Sequence, residues 1–172
     1  KTLIITDLDY DKAAITLEDA KSSISTNATI NNCYRLSCPD KGTEYSPTID
    51  ELYDFQKKDK TVLYGGLVYL VFQDENSTAR TLEEAMLNKL LGTDVFKKLK
   101  RSEWKSIRKK HKLTFTIPNN KDGEEDSEYS IRKIVEATSN NKTDFMYSVI
   151  LSGNEEKMLP DYIKEGLLWL AK

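Results

Sequence analysis

Soft metal ligands are scarce in this sequence, which has one histidine and two cysteines in 172 residues. A structural zinc site takes about four Cys or His ligands. Cys33 and Cys38 have no second pair, and His111 lies far along the chain. The pattern speaks against zinc, and two reduced, half-buried thiols in a cytosolic protein are expected instead. Long apolar runs are also missing. The longest nearly uncharged one, Thr61–Phe72, is about a dozen residues, where a membrane helix needs about twenty. No basic stretch leads into an apolar one at the start, so nothing points to secretion. The expectation is a cytoplasmic protein without a membrane partner. Repeats and splitting linkers are absent too, so residues 1–172 read as one domain, long enough for a real core.

Charge is present in quantity and is segregated. Residues 97–112 hold nine Lys or Arg against one Glu, a net of +8 in a chain that totals −2, so the remainder carries −10.

Residues 2–6 read as a buried strand that ends in Thr6-Asp7-Leu8-Asp9-Tyr10-Asp11. Ser25-Thr26-Asn27 has turn or cap chemistry ahead of a short element near Cys33–Leu36, and Pro39–Pro47 reads as loop. Ser46-Pro47-Thr48-Ile49-Asp50 predicts a helix start. Thr61–Phe72 predicts a buried strand with a bulge or close approach at Gly65-Gly66. A helix opens after Arg80, where Thr81 and Glu84 fit a capping box. Basic helices follow, then a short strand over Leu113–Ile117 and a mobile surface loop over Pro118–Glu128. Ile131, Ile134 and Val135 space as a helix face, and Asp144–Leu151 is expected to be helical. Pro160–Ala171 is expected to be the last helix, with Ile163, Leu167 and Leu170 sharing one face and the proline in its first turn. Strands interleaved with helices predict an α/β fold with a largely parallel sheet and a basic helical insertion.

Several residue groups could carry chemistry. Asp7 and Asp9 follow a strand and could face one crevice while the chain stays extended. Two close carboxylates repel unless a cation separates them, and Mg²⁺ is held by a few carboxylates with waters and phosphate oxygens. A solvated acidic turn is the plainer alternative, and Asp11 is a third candidate. Glu84 fits the cap, which leaves Glu83 as the freer ligand of the pair. Arg80 could meet a phosphate or pair with an acid. Lys142 could stabilise charge at a phosphoryl centre, although most such lysines are simply exposed. Lys97, Lys98, Lys100, Arg101, Lys105, Arg108, Lys109 and Lys110 form a basic surface suited to phosphate contacts. The same surface would also serve as a solvated face or a dock for an acidic protein.

Taken in order, these segments resemble the Toprim domain of OLD-family (overcoming lysogenization defect) nucleases. The matching blocks are Leu3-Ile4-Ile5-Thr6-Asp7-Leu8-Asp9, Thr26-Asn27-Ala28-Thr29-Ile30, and Phe72-Gln73-Asp74-Glu75 with Arg80-Thr81-Leu82-Glu83-Glu84-Ala85. Lys142-Thr143-Asp144-Phe145 and the closing Pro160–Leu170 segment complete the series. The resemblance implies a Toprim-like sheet and two-metal phosphodiester hydrolysis with Mg²⁺ or Mn²⁺. Asp7, Asp9 and Glu83 would be the metal ligands, with Glu83 and Lys142 the catalytic residues and DNA the substrate. A topoisomerase or primase Toprim would share the Asp-x-Asp but lack the last two blocks.

The sequence departs from that family in two ways. The family's further glutamate, in a Glu-Gly strand, is not present, and neither is its N-terminal ATPase domain, through which ATP would act. The chain enters a strand at once, so it is expected to be the C-terminal part of a longer protein that partners the ATPase and can oligomerise. Weak metal binding and little cleavage are expected of it in isolation. The function expected first is a metal-dependent DNA endonuclease or nickase of a defence-type protein. The second is a non-catalytic interaction or dimerisation module.

Overall fold

A computed structural model describes residues 1–11, 13–121 and 124–172. The fold is α/β, about half helix, with short strands in two small sheets. The chain divides into two compact units, Lys1–Ala85 with Pro160–Lys172, and Met86–Leu159. The first contains β1 (Thr2–Ile5), α1 (Leu17–Ser22), α2 (Ala28–Ser37), α3 (Ile49–Lys57), β2 (Val62–Leu63), β3 (Val68–Val71) and the start of α4 (Leu82–Leu91). The second contains β4 (Lys98–Lys100), α5 (Arg101–His111), β5 (Glu128–Ser130), α6 (Ile131–Ala137), α7 (Lys142–Leu151) and α8 (Glu155–Met158). The last helix, α9 (Asp161–Leu170), belongs to the first unit. Among the described residues no helix is long and apolar enough to cross a membrane.

The sheet of the first unit runs β1-β3-β2 and is mixed. β1 and β3 are parallel, with Thr2 opposite Val68 and Ile5 opposite Val71. The run expected as one strand, Thr61–Phe72, is instead a hairpin. Gly65 and Gly66 take φ of 63° and 88°, a region open to glycine, and β2 folds back antiparallel on β3. The strand β1 is also less buried than its apolar run suggests: Leu3 and Ile4 are half-buried, and Ile5 is 45% exposed.

Helix starts follow local chemistry. The Thr48 hydroxyl accepts from the Glu51 amide and the Glu51 carboxylate accepts from the Thr48 amide, closing a capping box on α3. The Asn27 side chain caps α2, so the segment near Cys33 is helical. Both thiols are free, and burial raises the Cys33 thiol above its usual pKa.

The helix α9 buries a different stripe from the one its leucines suggest. Tyr162 and Gly166 are buried, while Leu167 and Leu170 are 48% and 43% exposed. Gly166 is the point of closest approach. A Cβ there would stand 2.8 Å from Leu3 Cδ1 and 3.2 Å from both Val71 methyls, so a larger residue would oblige those side chains to shift and glycine lets the helix lie this low on β1 and β3 without it. Trp169 then meets Tyr69 at 5.3 Å between ring centroids.

In the second unit β4 and β5 pair antiparallel, with Leu99 opposite Tyr129. Trp104 is fully buried, donates its indole N–H to the Tyr129 carbonyl at 2.9 Å, and meets Phe115 edge-on. Leu113–Ile117 has the alternation of a strand, with Leu113 and Phe115 buried, but among the described residues it forms no ladder. Its amides at Thr114 and Thr116 donate to the Ser148 and Thr138 hydroxyls, and Arg108 donates to the Phe115 carbonyl. Side chains replace a neighbouring strand here. Ile131, Ile134 and Val135 are buried on α6, and α7 begins at Lys142. Within the expected loop Pro118–Glu128, Asp122 and Gly123 lie outside the described residues. Asp126 in that loop accepts from the Ser102 amide and hydroxyl.

Candidate functional site

The loop that follows β1 carries the acidic residues and has almost every backbone group engaged. The carbonyls of Asp7, Leu8 and Asp9 accept from Asn27 Nδ2, Ser25 Oγ and Thr26 Oγ1, respectively. The Tyr10 carbonyl accepts from Arg80 Nε. The Leu8 amide donates to Gln73 Oε1 at 2.8 Å, and the Asp9 amide donates to the Arg80 carbonyl at 3.2 Å. Leu8 and Tyr10 are buried as anchors, which leaves Asp7 and Asp9 half-buried and Asp11 exposed. Ser25-Thr26-Asn27 thus serves as a clamp that fixes the acidic loop, in addition to capping α2.

Asp7 and Asp74 both stand just past the carboxyl ends of the parallel neighbours β1 and β3, where open α/β sheets place their ligands. Gln73 links the two loops. It is fully buried, accepts from Leu8, and donates Nε2 to Asp7 Oδ1 at 2.5 Å. Burial first, and then the charges of Asp7, Asp74 and Glu83, push the Tyr162 phenol above its ordinary pKa. Each of those three acids is therefore near enough to the first turn of α9 for Tyr162 to feel its charge.

Asp9 goes elsewhere. Its φ of 49° ends the extended alternation that would aim it with Asp7, and Oδ1 lies 3.5 Å from Arg80 Nη2. Asp74 is partly engaged by its own turn, where Oδ1 accepts from the Asn76 and Ser77 amides. Among the described residues no three His, Cys, Asp or Glu side chains are grouped as a metal cage.

The start of α4 departs from the expected capping box. Glu84 Oε2 accepts from the Arg80 amide at 2.8 Å, one residue earlier than the box requires. The buried Thr81 hydroxyl has no hydrogen-bond partner among the described residues. Glu84 is 2% exposed and tied to the chain, while Glu83 is half-buried, so Glu83 remains the better ligand of the pair.

In the second unit, Lys142 opens α7 and is half-buried. The basic segment is part strand and part helix. Lys97, Lys98, Lys100, Lys105, Lys109 and Lys110 are exposed. The two arginines have structural duties: Arg101 Nε donates to the Pro118 carbonyl and Arg108 to that of Phe115. On α5 the residues away from Trp104 include Lys105, Lys109 and Lys110, which form a cationic face. Asp126 intrudes on its N-terminal edge. Hydrogen bonding to Ser102, aided by Lys100 and Lys105, lowers its carboxyl pKa.

Gln73, Asp74 and Tyr162 stand within the quoted sequence blocks, but their roles are visible only in the fold. The signals for Gln73 and Asp74 were their place at the end of an apolar run and in the Phe72-Gln73-Asp74-Glu75 block, neither of which assigns them a role. No protein family, curated protein or solved structure matches this chain.

Proposed function

We propose that the chain is a Toprim-like nuclease domain of the OLD-family type that cleaves DNA with Mg²⁺ or Mn²⁺. The observation that supports this most is the fixed acidic loop past β1, which holds Asp7 against Gln73 just past the carboxyl edge of a parallel strand pair, with Asp74 just past the neighbouring strand. Mg²⁺ is commonly bound through one or two carboxylates, with waters and phosphate oxygens filling the remaining positions. Asp7 and Glu83 suit the protein's share of such a shell. A bound ion of this kind lowers the pKa of a water and neutralises charge on the phosphate. Gln73 orients the Asp7 carboxylate, and Arg80 keeps Asp9 in place until a cation or phosphate competes for it. Lys142 is assigned to the developing negative charge. The exposed lysines of β4 and α5 are assigned to the DNA backbone.

The test uses supercoiled plasmid with Mn²⁺ or Mg²⁺ and the longest natural form of the protein. Asp7→Ala, Glu83→Ala and Lys142→Ala are each expected to lower nicking by about a hundredfold or more, the scale of losing a group that stabilises the transition state. If all three cut like wild type, the site assignment is wrong.

The basic face gives a separate prediction. Replacing Lys105, Lys109 and Lys110 together with glutamine should weaken DNA retention and flatten its salt dependence by about two to three in log–log slope, at roughly 0.9 per phosphate contact. An unchanged slope in a filter-binding titration would remove these residues from the interface.

A second reading, a non-catalytic interaction module, is favoured by the ties of Asp9 to Arg80 and of Asp74 to its own turn. It predicts indifference to both DNA and divalent metal.

A further inference from the structure

The sheet of the first unit runs β1-β3-β2, so β1 is bonded on one side only among the described residues. The amides of Thr2 and Thr6 donate toward β3, to the Leu67 and Val71 carbonyls. Alternation then aims the peptide groups of Leu3 and Ile5 outward, away from β3, as on any sheet edge. This edge is apolar as well. Ile5 is 45% exposed and shares the face of Leu3, which lies under Gly166 of α9.

The helix above the edge adds an independent observation. Tyr162 and Glu165 line a cavity with Thr61 and Tyr69, on the β2 side of α9. Ile163, Leu167 and Leu170 form the opposite flank, which overhangs β1, and Leu167 and Leu170 are about half exposed. Charge is arranged to match. Lys1, Leu3, Ile5 and Asp7 alternate onto the α9 face, where Lys1 Nζ lies 5.1 Å from the Trp169 ring centre. The edge therefore has a cation at one end and an acid at the other, and two such edges are complementary when they run antiparallel.

We propose that the first unit pairs with a second copy of this chain, β1 against β1 and antiparallel about a two-fold axis, joining the two sheets into one. The outward groups of Leu3 and Ile5 can meet those of the other copy in more than one register. Leu3 opposite itself sets Lys1 against Ile5, and Ile5 opposite itself sets Leu3 against Asp7. Leu3 opposite Ile5 centres the axis on Ile4, lets both Leu3–Ile5 pairs exchange backbone hydrogen bonds, and sets Lys1 against Asp7 at each end. Charge thus selects one register. Because α9 rests on both β1 and β3, strands about 4.8 Å apart place the two α9 axes roughly 10 Å apart, the usual packing distance of helices, with Leu167 and Leu170 between them.

The test is sedimentation equilibrium of the whole chain without divalent metal, since Asp7 also belongs to the proposed metal site. A monomer–dimer equilibrium is expected. Lys1→Asp should weaken association at least tenfold by setting two acids against each other, and adding Asp7→Lys to that variant should restore it. Ile5→Lys, at an exposed position, should weaken association as much while far-UV circular dichroism stays that of the wild type. A monomer at every concentration, wild-type association of Lys1→Asp or of Ile5→Lys, or no recovery when the two charges are exchanged would overturn the proposal. Plasmid nicking does not enter this measurement, so the two readings fail separately.

Discussion

Trp104→Ala is expected to destabilise the second unit by about 4 kcal/mol, the scale of truncating a fully buried tryptophan. The indole has no exposed surface, meets Phe115 at 5.8 Å, and donates to the Tyr129 carbonyl on the strand that pairs with β4. Alanine removes that packing and the indole's hydrogen bond to the Tyr129 carbonyl. Small domains have about 5–15 kcal/mol of total stability, so the loss should bring this unit close to unfolding at ambient temperature. Native-state hydrogen exchange reads the effect directly. Amides of α5 and α6 should lose protection while those of β1 and β3 retain theirs. Trp104→Phe, which keeps a ring but not the N–H, should fall between. A loss below about 1 kcal/mol in Trp104→Ala would mean that the indole is not the centre of this core.

The second large effect is expected at Gln73. Leucine has a similar volume but makes neither of the two hydrogen bonds, so Gln73→Leu leaves the buried Leu8 amide unpaired and takes a donor from Asp7. An unsatisfied buried donor costs roughly 1–3 kcal/mol, and loss of a hydrogen bond to a carboxylate adds to that. We expect about 3 kcal/mol from urea unfolding on these grounds, together with faster exchange of the Leu8 amide. Gln73→Glu separates the two contacts. Its carboxylate can still accept from Leu8 but confronts Asp7 with like charge, so its penalty should shrink as pH falls and one of the two acids takes up a proton. Stability within about 0.5 kcal/mol of wild type for Gln73→Leu would show that the acidic loop does not depend on this side chain.

The parts of the fold governed by short-range chemistry were legible in the sequence. Thr48 and Asn27 cap helices where their side chains predict caps, and Ile131, Ile134 and Val135 are buried together as their spacing requires. Strands were harder to read, because pairing depends on residues distant in the chain. The apolar run Thr61–Phe72 does not reveal that Gly65-Gly66 reverses direction, and Leu113–Ile117 alternates correctly but meets hydroxyls in place of a strand. For α9 the leucines outweigh a glycine on any hydrophobicity scale, yet close approach to the sheet decides which stripe is buried. At the candidate site the position of the acidic loop was legible from Asp-x-Asp after a strand. The positive φ of Asp9 and its pairing with Arg80 were not, since both arise from contacts between residues about seventy positions apart.

The placement of α9 has a consequence for the order of assembly. Met86–Leu159 is contiguous, so that unit has all its parts as soon as residue 159 is made. The first unit does not, because the helix that covers Leu3 and Val71 begins at Asp161. During synthesis the face of β1 and β3 that α9 covers must wait until residues 161–170 have emerged, and throughout that interval the half-made sheet is a surface that chaperones or a stray strand can claim.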